Sequence, residues 1–468
     1  MENGKILIQS TNNRRNFIKQ LASVGGVLGG SLLSNSLSAK NISAINAKSK
    51  TCDFSNLAAD FTYLNSGTEG SMPRCVIDQL SSEQQRWASD PTTAYEADKV
   101  LGKHQHFGRS RVAKSLLVKK DNLCFTDNTT MGLNMVLMGI NFTASDKVIL
   151  TNHEHNAIVS PLSVQQHKTG LKVIKRNFPA ARQLSKMNAE QIVEALFPNT
   201  KELQGAKALC VSHVYPTTGI RLPLDLLRRK ADQLGIQYLI VDGAQAFGMI
   251  DLSVGVNAIS HADFYACPGH KWLNGPPSTG ILYIKDENIQ PPEFYPTMSQ
   301  RMSQYVRQND LVQSSFPMAE ALQVRGCSNT PGFSAMQTAI DFQKTFGGFS
   351  SVEKQIISLS SQVKTFISSQ AKTALVSPSI DNRTHSGLTV FFPFSWQNPQ
   401  RILTDKKTAD QIVVALLKKK IQIRSIGFQN SPDKKNKVYA LRVSTGIFNT
   451  QKHIDRFKQS LRSVLQEL

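Results

Sequence analysis

Three short stretches of this chain end apolar runs in groups that can do chemistry. The run 238–241 leads into Asp242, and Gln245 follows three positions later. The run that starts at Phe264 leads through Pro268 into His270 and Lys271. Phe125 leads into Thr129 and Thr130, where a helical pattern begins. A lysine amine loses its proton readily on partial burial, which suits it to attack an aldehyde and form a Schiff base. A carboxylate beside a ring nitrogen keeps that nitrogen protonated, and an amide or imidazole can tune a neighbouring ring hydroxyl. Hydroxyls and backbone N–H groups at a helix N-terminus bind phosphate, helped by the helix dipole.

Taken singly, each piece has a plainer reading. An aspartate at a strand end usually caps a helix, His-Lys often marks a solvated turn, and threonines are ordinary N-caps. Each piece has a job if the ligand is pyridoxal 5'-phosphate, and the order and spacing of all three count against the plainer readings for the set. Positioning them requires a scaffold of alternating strands and helices. From about 120 to 285 the chain supplies it: apolar runs at 123–125, 148–150, 208–214, 238–241, 264–266 and 280–284 alternate with helical patterns at 131–140 and 224–234. Strand, helix, strand in repetition implies a largely parallel sheet covered on both faces, with the ligand beyond the carboxyl ends of the strands. After about 350 the pattern changes to helices at 352–369, 409–418 and 453–468 around strands near 388–392 and 440–443, which reads as a smaller α+β domain.

The chain resembles class V aminotransferases of fold type I, the group that contains cysteine desulfurases and isopenicillin-N epimerases. The resemblance runs from about Tyr63 to the C-terminus. The segment opening at Tyr63 and containing Asn65 is similar to the family's first strand and turn, which borders the active site and the substrate. The resemblance makes Lys271 the Schiff-base residue, Asp242 and Gln245 the partners of the ring nitrogen and ring hydroxyl, and His155 the residue stacked on the ring. Thr129, Thr130 and His270 become phosphate ligands, and Arg442 the grip on the substrate carboxylate through two parallel hydrogen bonds. It implies an α/β, fold type I transferase with a mainly parallel sheet of seven-stranded type. The expected organisation is an N-terminal segment at 52–80, a large domain at 81–340 and a small C-terminal domain at 341–468. It also implies a homodimer in which Cys327 stands where the neighbouring subunit lends a threonine to the phosphate.

Departures from the family narrow the chemistry. No cysteine follows Cys327, so the loop that carries the nucleophilic thiol of cysteine desulfurases has serine here, and transfer through a persulfide is not expected. Pro268 stands where many relatives have a phosphate-binding serine. The expected function is action at the α-carbon of an amino acid or small peptide, closest to the epimerase-like branch. The alternatives are a C–S lyase or a degenerate protein that binds the cofactor without turnover.

The six cysteines include no Cys-x-x-Cys pair, so no metal site is expected; they do not amount to a disulfide scaffold, and Cys124, Cys210 and Cys267 read as buried thiols. The 54 Lys plus Arg against 34 Asp plus Glu give +20, but these charges are dispersed and the densest patches are not interleaved with aromatics. Nucleic acid is therefore not an expected partner. Residues 13–19, with Arg14 and Arg15 ahead of Phe17, Ile18 and Lys19, resemble a twin-arginine export signal. The weakly apolar run at 21–33 is short for a membrane span, and small residues follow at 36–39. This implies a signal peptide over 1–39, the twin-arginine translocation machinery as a partner, and a periplasmic or otherwise exported location.

Overall fold

The computed structural model describes residues 52–91, 108–299, 302–430 and 437–467. The twin-arginine stretch lies outside them. Strands β2 (Leu123–Thr126), β3 (Lys147–Thr151), β4 (Lys172–Arg176), β5 (Ala208–Ser212), β6 (Tyr238–Asp242), β7 (Phe264–Pro268) and β8 (Gly280–Ile284) form one sheet of seven, in the order β2-β8-β7-β6-β5-β3-β4. β3 to β7 run parallel, and β8 is antiparallel to both of its neighbours. This is the expected α/β fold with a mainly parallel sheet.

The inner strands are largely apolar because both faces are covered, whereas the edge strand β4 exposes Lys172 and Lys175. Side chains alternate with a period of two. Leu209, Val211, Leu239, Val241, Tyr265 and Cys267 enter one core, while Ala208, Cys210, Tyr238, Ile240, Phe264 and Ala266 enter the other. Helix Thr129–Gly139 lies tight on the sheet: a Cβ on Gly132 would come within 2.8 Å of the Ala266 Cβ. The helix therefore needs glycine there to bring its first turn over the end of β7.

The C-terminal region builds a second layer. β9 (Leu388–Phe391), β12 (Lys437–Ser444) and β11 (Arg424–Gln429) form an antiparallel sheet with β12 in the centre. Helices Phe349–Gln370, Lys406–Lys418 and Gln451–Gln466 cover it around a separate apolar core that includes Val363, Ile412, Leu441 and Phe457. The N-terminal segment ties both layers together. β1 (Thr62–Tyr63) pairs in parallel with β10 (Ile421–Gln422), Asn65 bridges to Ser444, and helix Arg74–Ser89 packs on helix Thr330–Lys344. Cys52 and Cys75 are joined by a disulfide, a pairing that the cysteine spacing did not signal. Among the described residues no helix is long and apolar enough to cross a membrane.

Candidate active site

The carboxyl ends of three adjacent parallel strands meet in one cavity, lined by Ser212 at the end of β5, Asp242 at the end of β6 and Pro268 at the end of β7. The same cavity gathers Thr129, Thr130, His155, Gln245, His270 and Lys271. Seven of the residues singled out in the sequence thus converge across more than a hundred positions of chain.

Asp242 is buried, and its Oδ1 accepts from the Ala244 N–H at 2.8 Å. Burial pushes its carboxyl up, while the Ala244 bond and the Lys271 charge pull it down. Burial pushes the Lys271 amine down; the Asp242 charge raises it and the Arg442 charge lowers it again. The amine therefore sits closer to its neutral, nucleophilic form than a surface lysine does. Its backbone is clamped as well. The Gly70 N–H donates to the His270 carbonyl at 2.9 Å, and a Cβ on Gly70 would overlap the Lys271 carbonyl.

The Gln245 amide has a fixed orientation. Its Oε1 accepts from Trp272 Nε1 at 2.9 Å, which leaves Nε2 to donate one hydrogen to the Gly67 carbonyl at 2.9 Å. The second Nε2 hydrogen remains for a ligand. His155 caps helix Asn156–Thr169, and its Nδ1 accepts from the Ala157 N–H at 3.2 Å, so the ring proton is on Nε2. The exposed ring borders the cavity.

Two buried polar atoms on this wall have no partner, Thr129 Oγ1 and His270 Nδ1. Orphaned groups of this kind are uncommon in folded proteins. Thr129 opens a helix whose side-chain cap, Asn128 Oδ1, already serves the Met131 N–H at 2.9 Å, and His270 reaches the same cavity from the end of β7. A hydroxyl, an imidazole and the first-turn amides of a helix make a phosphate cradle. With Asp242, Gln245, His155 and Lys271 around it, the residues fit pyridoxal 5'-phosphate.

A model of the aminotransferase class V family matches residues 62–457. The chain belongs to that family. Among its curated relatives, a probable cysteine desulfurase of Methanothermobacter thermautotrophicus is 28% identical over 62% of this chain and 68% of the relative. An isopenicillin N epimerase of Amycolatopsis lactamdurans is 30% identical over 50% of this chain and 56% of the relative. A probable cysteine desulfurase of Pyrococcus abyssi is 27% identical over 49% of this chain and 55% of the relative. The matched stretches thus span about half to two thirds of these relatives. A C-DES mutant with glycine covalently linked to its pyridoxal-phosphate cofactor superposes with a TM-score of 0.68 at 20% identity, over 88% of this chain and 98% of that one. The class V fold and its cofactor, pyridoxal 5'-phosphate, are thereby established for this chain.

Other class V positions lie outside the cavity. Arg442, 4% exposed, stands on β12 and donates from Nη2 to Thr68 Oγ1 at 2.7 Å and to Asn65 Oδ1 at 3.4 Å. Burial, with the charge of Arg424 adding to it, pushes its guanidinium down to about 10. Arg424 also donates to Thr68 Oγ1, at 3.2 Å. Arg424 was missed in the sequence, because it meets Arg442 only as its cross-strand partner in the β11–β12 register. Directly opposed like charges destabilise a sheet. Neither guanidinium has a carboxylate partner among the described residues. An anionic substrate group would supply one.

Cys327 is exposed and lines a different cleft, with Arg325 and Asn329. Within one chain it does not reach the Lys271 cavity. Cys124, Cys210 and Cys267 are buried, as their apolar runs suggested, and burial pushes all three thiols up, Cys124 to about 11. No cluster of His, Cys, Asp and Glu suited to a metal occurs among the described residues.

Proposed function

We propose that this protein acts at the α-carbon of an amino acid or small peptide, with Lys271 moving the α-proton, and that it is an epimerase-like or transaminating member of class V. The observation that carries this reading is the one cavity that Lys271 and Asp242 share with the unpartnered Thr129 Oγ1 and His270 Nδ1. When bound, pyridoxal phosphate supplies an electron-withdrawing ring that makes a substrate α-proton acidic. Asp242 would hold the ring nitrogen protonated, Gln245 would donate to the ring hydroxyl, and the His155 ring would cover one face. Thr129, Thr130 and His270 would hold the phosphate. Arg442 and Arg424 orient the substrate through its carboxylate, with Asn65 and Thr68 steadying the guanidiniums. The lowered Lys271 amine takes the α-proton at Nζ. Returning it to the opposite face inverts the centre; a keto acid would instead require the amino group to stay with the cofactor and water to supply the carbonyl oxygen.

Transfer through a protein persulfide is not part of this reading, because none of the cysteines reaches the cavity within one chain. A C–S lyase needs no protein thiol and is the second reading. Incubation with a panel of L-amino acids, with and without pyruvate, followed by chiral and keto-acid analysis, tests the proposal. Epimer or keto acid that disappears in Lys271→Ala supports it; sulfide alone moves the protein to the lyase reading. No turnover of any kind leaves a protein that binds the cofactor without catalysis.

We also propose export through the twin-arginine route. The Cys52–Cys75 disulfide supports this, since such bonds persist in oxidising compartments. A homodimer is proposed as well. Met298, exposed and apolar, lines the Cys327 cleft, which gives that face a reason to be covered.

A further inference from the structure

Away from the Lys271 cavity, a cleft of about 650 Å³ opens beside helix Phe349–Gln370. Its wall is unusual in composition. Lys186, Lys364, Lys372 and His385 supply nitrogen, serines supply most of the rest, and no aspartate or glutamate lines it. The spacing of Ser361, Lys364 and Ser368 places one stripe of the helix along the cleft.

Two of these residues are deeply placed. Lys364 is 3% exposed and His385 is 6% exposed. The Lys364 Nζ is buried with no hydrogen-bond partner, and the buried His385 ring has only a weak approach to the Ser379 backbone. Asp381, whose charge reaches His385, is engaged by Arg383. Burial, reinforced by the Arg221 charge, pushes the Lys364 amine down to about 7. Burial also lowers His385, to about 3. A buried polar group without a partner is destabilising, and a buried cation more so. A methionine of similar length would fill the same space without that penalty.

We propose that this cleft is a second binding site, for a small soluble molecule that carries an oxyanion, with the phosphate or carboxylate held by Lys364 and His385. The anion would complete the hydrogen bonding of both side chains and oppose the desolvation of the amine. The serine hydroxyls along the helix suit a ligand that is itself rich in polar oxygen. Lys186 and Lys372, both exposed, stand at the rim and draw anions in.

Calorimetric titration of the holoenzyme with inorganic phosphate, and separately with acetate, tests this. At least one should bind at a site that Lys364→Met removes, separate from any binding at the Arg424–Arg442 pair, and which one binds there names the oxyanion. Lys364→Met should weaken that binding at least tenfold while its melting temperature stays level or rises. Lys372→Ala should weaken it by a smaller factor. Failure of both anions to bind the wild-type holoenzyme overturns the proposal, as does unchanged affinity in Lys364→Met.

Discussion

Arg442 and Arg424 stand side by side without an acid between them. That arrangement is costly in the empty protein and useful only when an anion arrives. Arg442→Lys keeps a charge but loses the planar fork, so kcat/KM should fall about 10- to 100-fold, the equivalent of roughly 1.5–3 kcal/mol for a charged hydrogen bond. Steady-state kinetics with any accepted amino acid measures it, and an unchanged kcat/KM would remove Arg442 from the substrate's path. A second residue-scale effect concerns Glu154. Its oxygens accept from Thr151 and Ser212 hydroxyls at 2.7 Å and from the Tyr215 hydroxyl at 2.8 Å, yet burial outweighs these bonds and pushes the carboxyl up to about 7. The folded state therefore binds this proton more tightly than the unfolded chain does. The resulting penalty is absent below the ordinary carboxylate range, grows as pH rises towards 7, and is constant above it. Glu154→Gln cannot lose a proton, so its stability relative to wild type should improve between pH 4.5 and 8, by at most about 3 kcal/mol at 1.36 kcal/mol per unit. Thermal melts at the two pH values decide, and a constant difference would show that the carboxyl titrates normally. Lys271, Asp242 and His270 were legible in the sequence because each follows directly on an apolar run. Arg424 and the three-hydroxyl seat of Glu154 were not, since both depend on strand register that no local pattern encodes.

At the scale of elements, the parallel strands were legible because burial on both faces leaves short, wholly apolar runs. β4 escaped, since Lys172 and Lys175 are exposed on this edge strand and break the run. β1 was expected only through the family resemblance at Tyr63; its two residues have no apolar pattern of their own and pair with β10, a partner that no local pattern shows. The segment between them and the large sheet depends on the Cys52–Cys75 bond, which closes a separation of 23 residues and pins Phe54 near Phe448 and Phe342. Replacing both cysteines by serine should cost about 3 kcal/mol, the order expected for a loop of this length. Denaturant titration with and without reductant tests this. Wild type should lose stability on reduction and the double variant should not; equal response of the two would assign the bond no role.

At the scale of the whole molecule, the proposed homodimer predicts a particle of twice 51.7 kDa, less any signal segment removed, by light scattering. A particle of single-chain mass with full turnover would show that one chain suffices and that the Cys327 cleft serves no neighbouring site. The single chain already carries a long-range constraint of its own. Thr62 lies beside Ile421, and Asn65 touches both Ser444 and Arg442. During synthesis the first ordered strand must therefore wait, unpaired, until almost the entire polypeptide has left the ribosome. The phosphate cradle, drawn from residues 129 to 271, can be finished earlier. Maturation then has an inherent sequence: the vitamer's seat forms first and the pair of guanidiniums proposed to meet the substrate is completed last. A nascent chain halted before β12 would be able to capture the vitamer while lacking Arg442 and the strand that sets Arg424 opposite it.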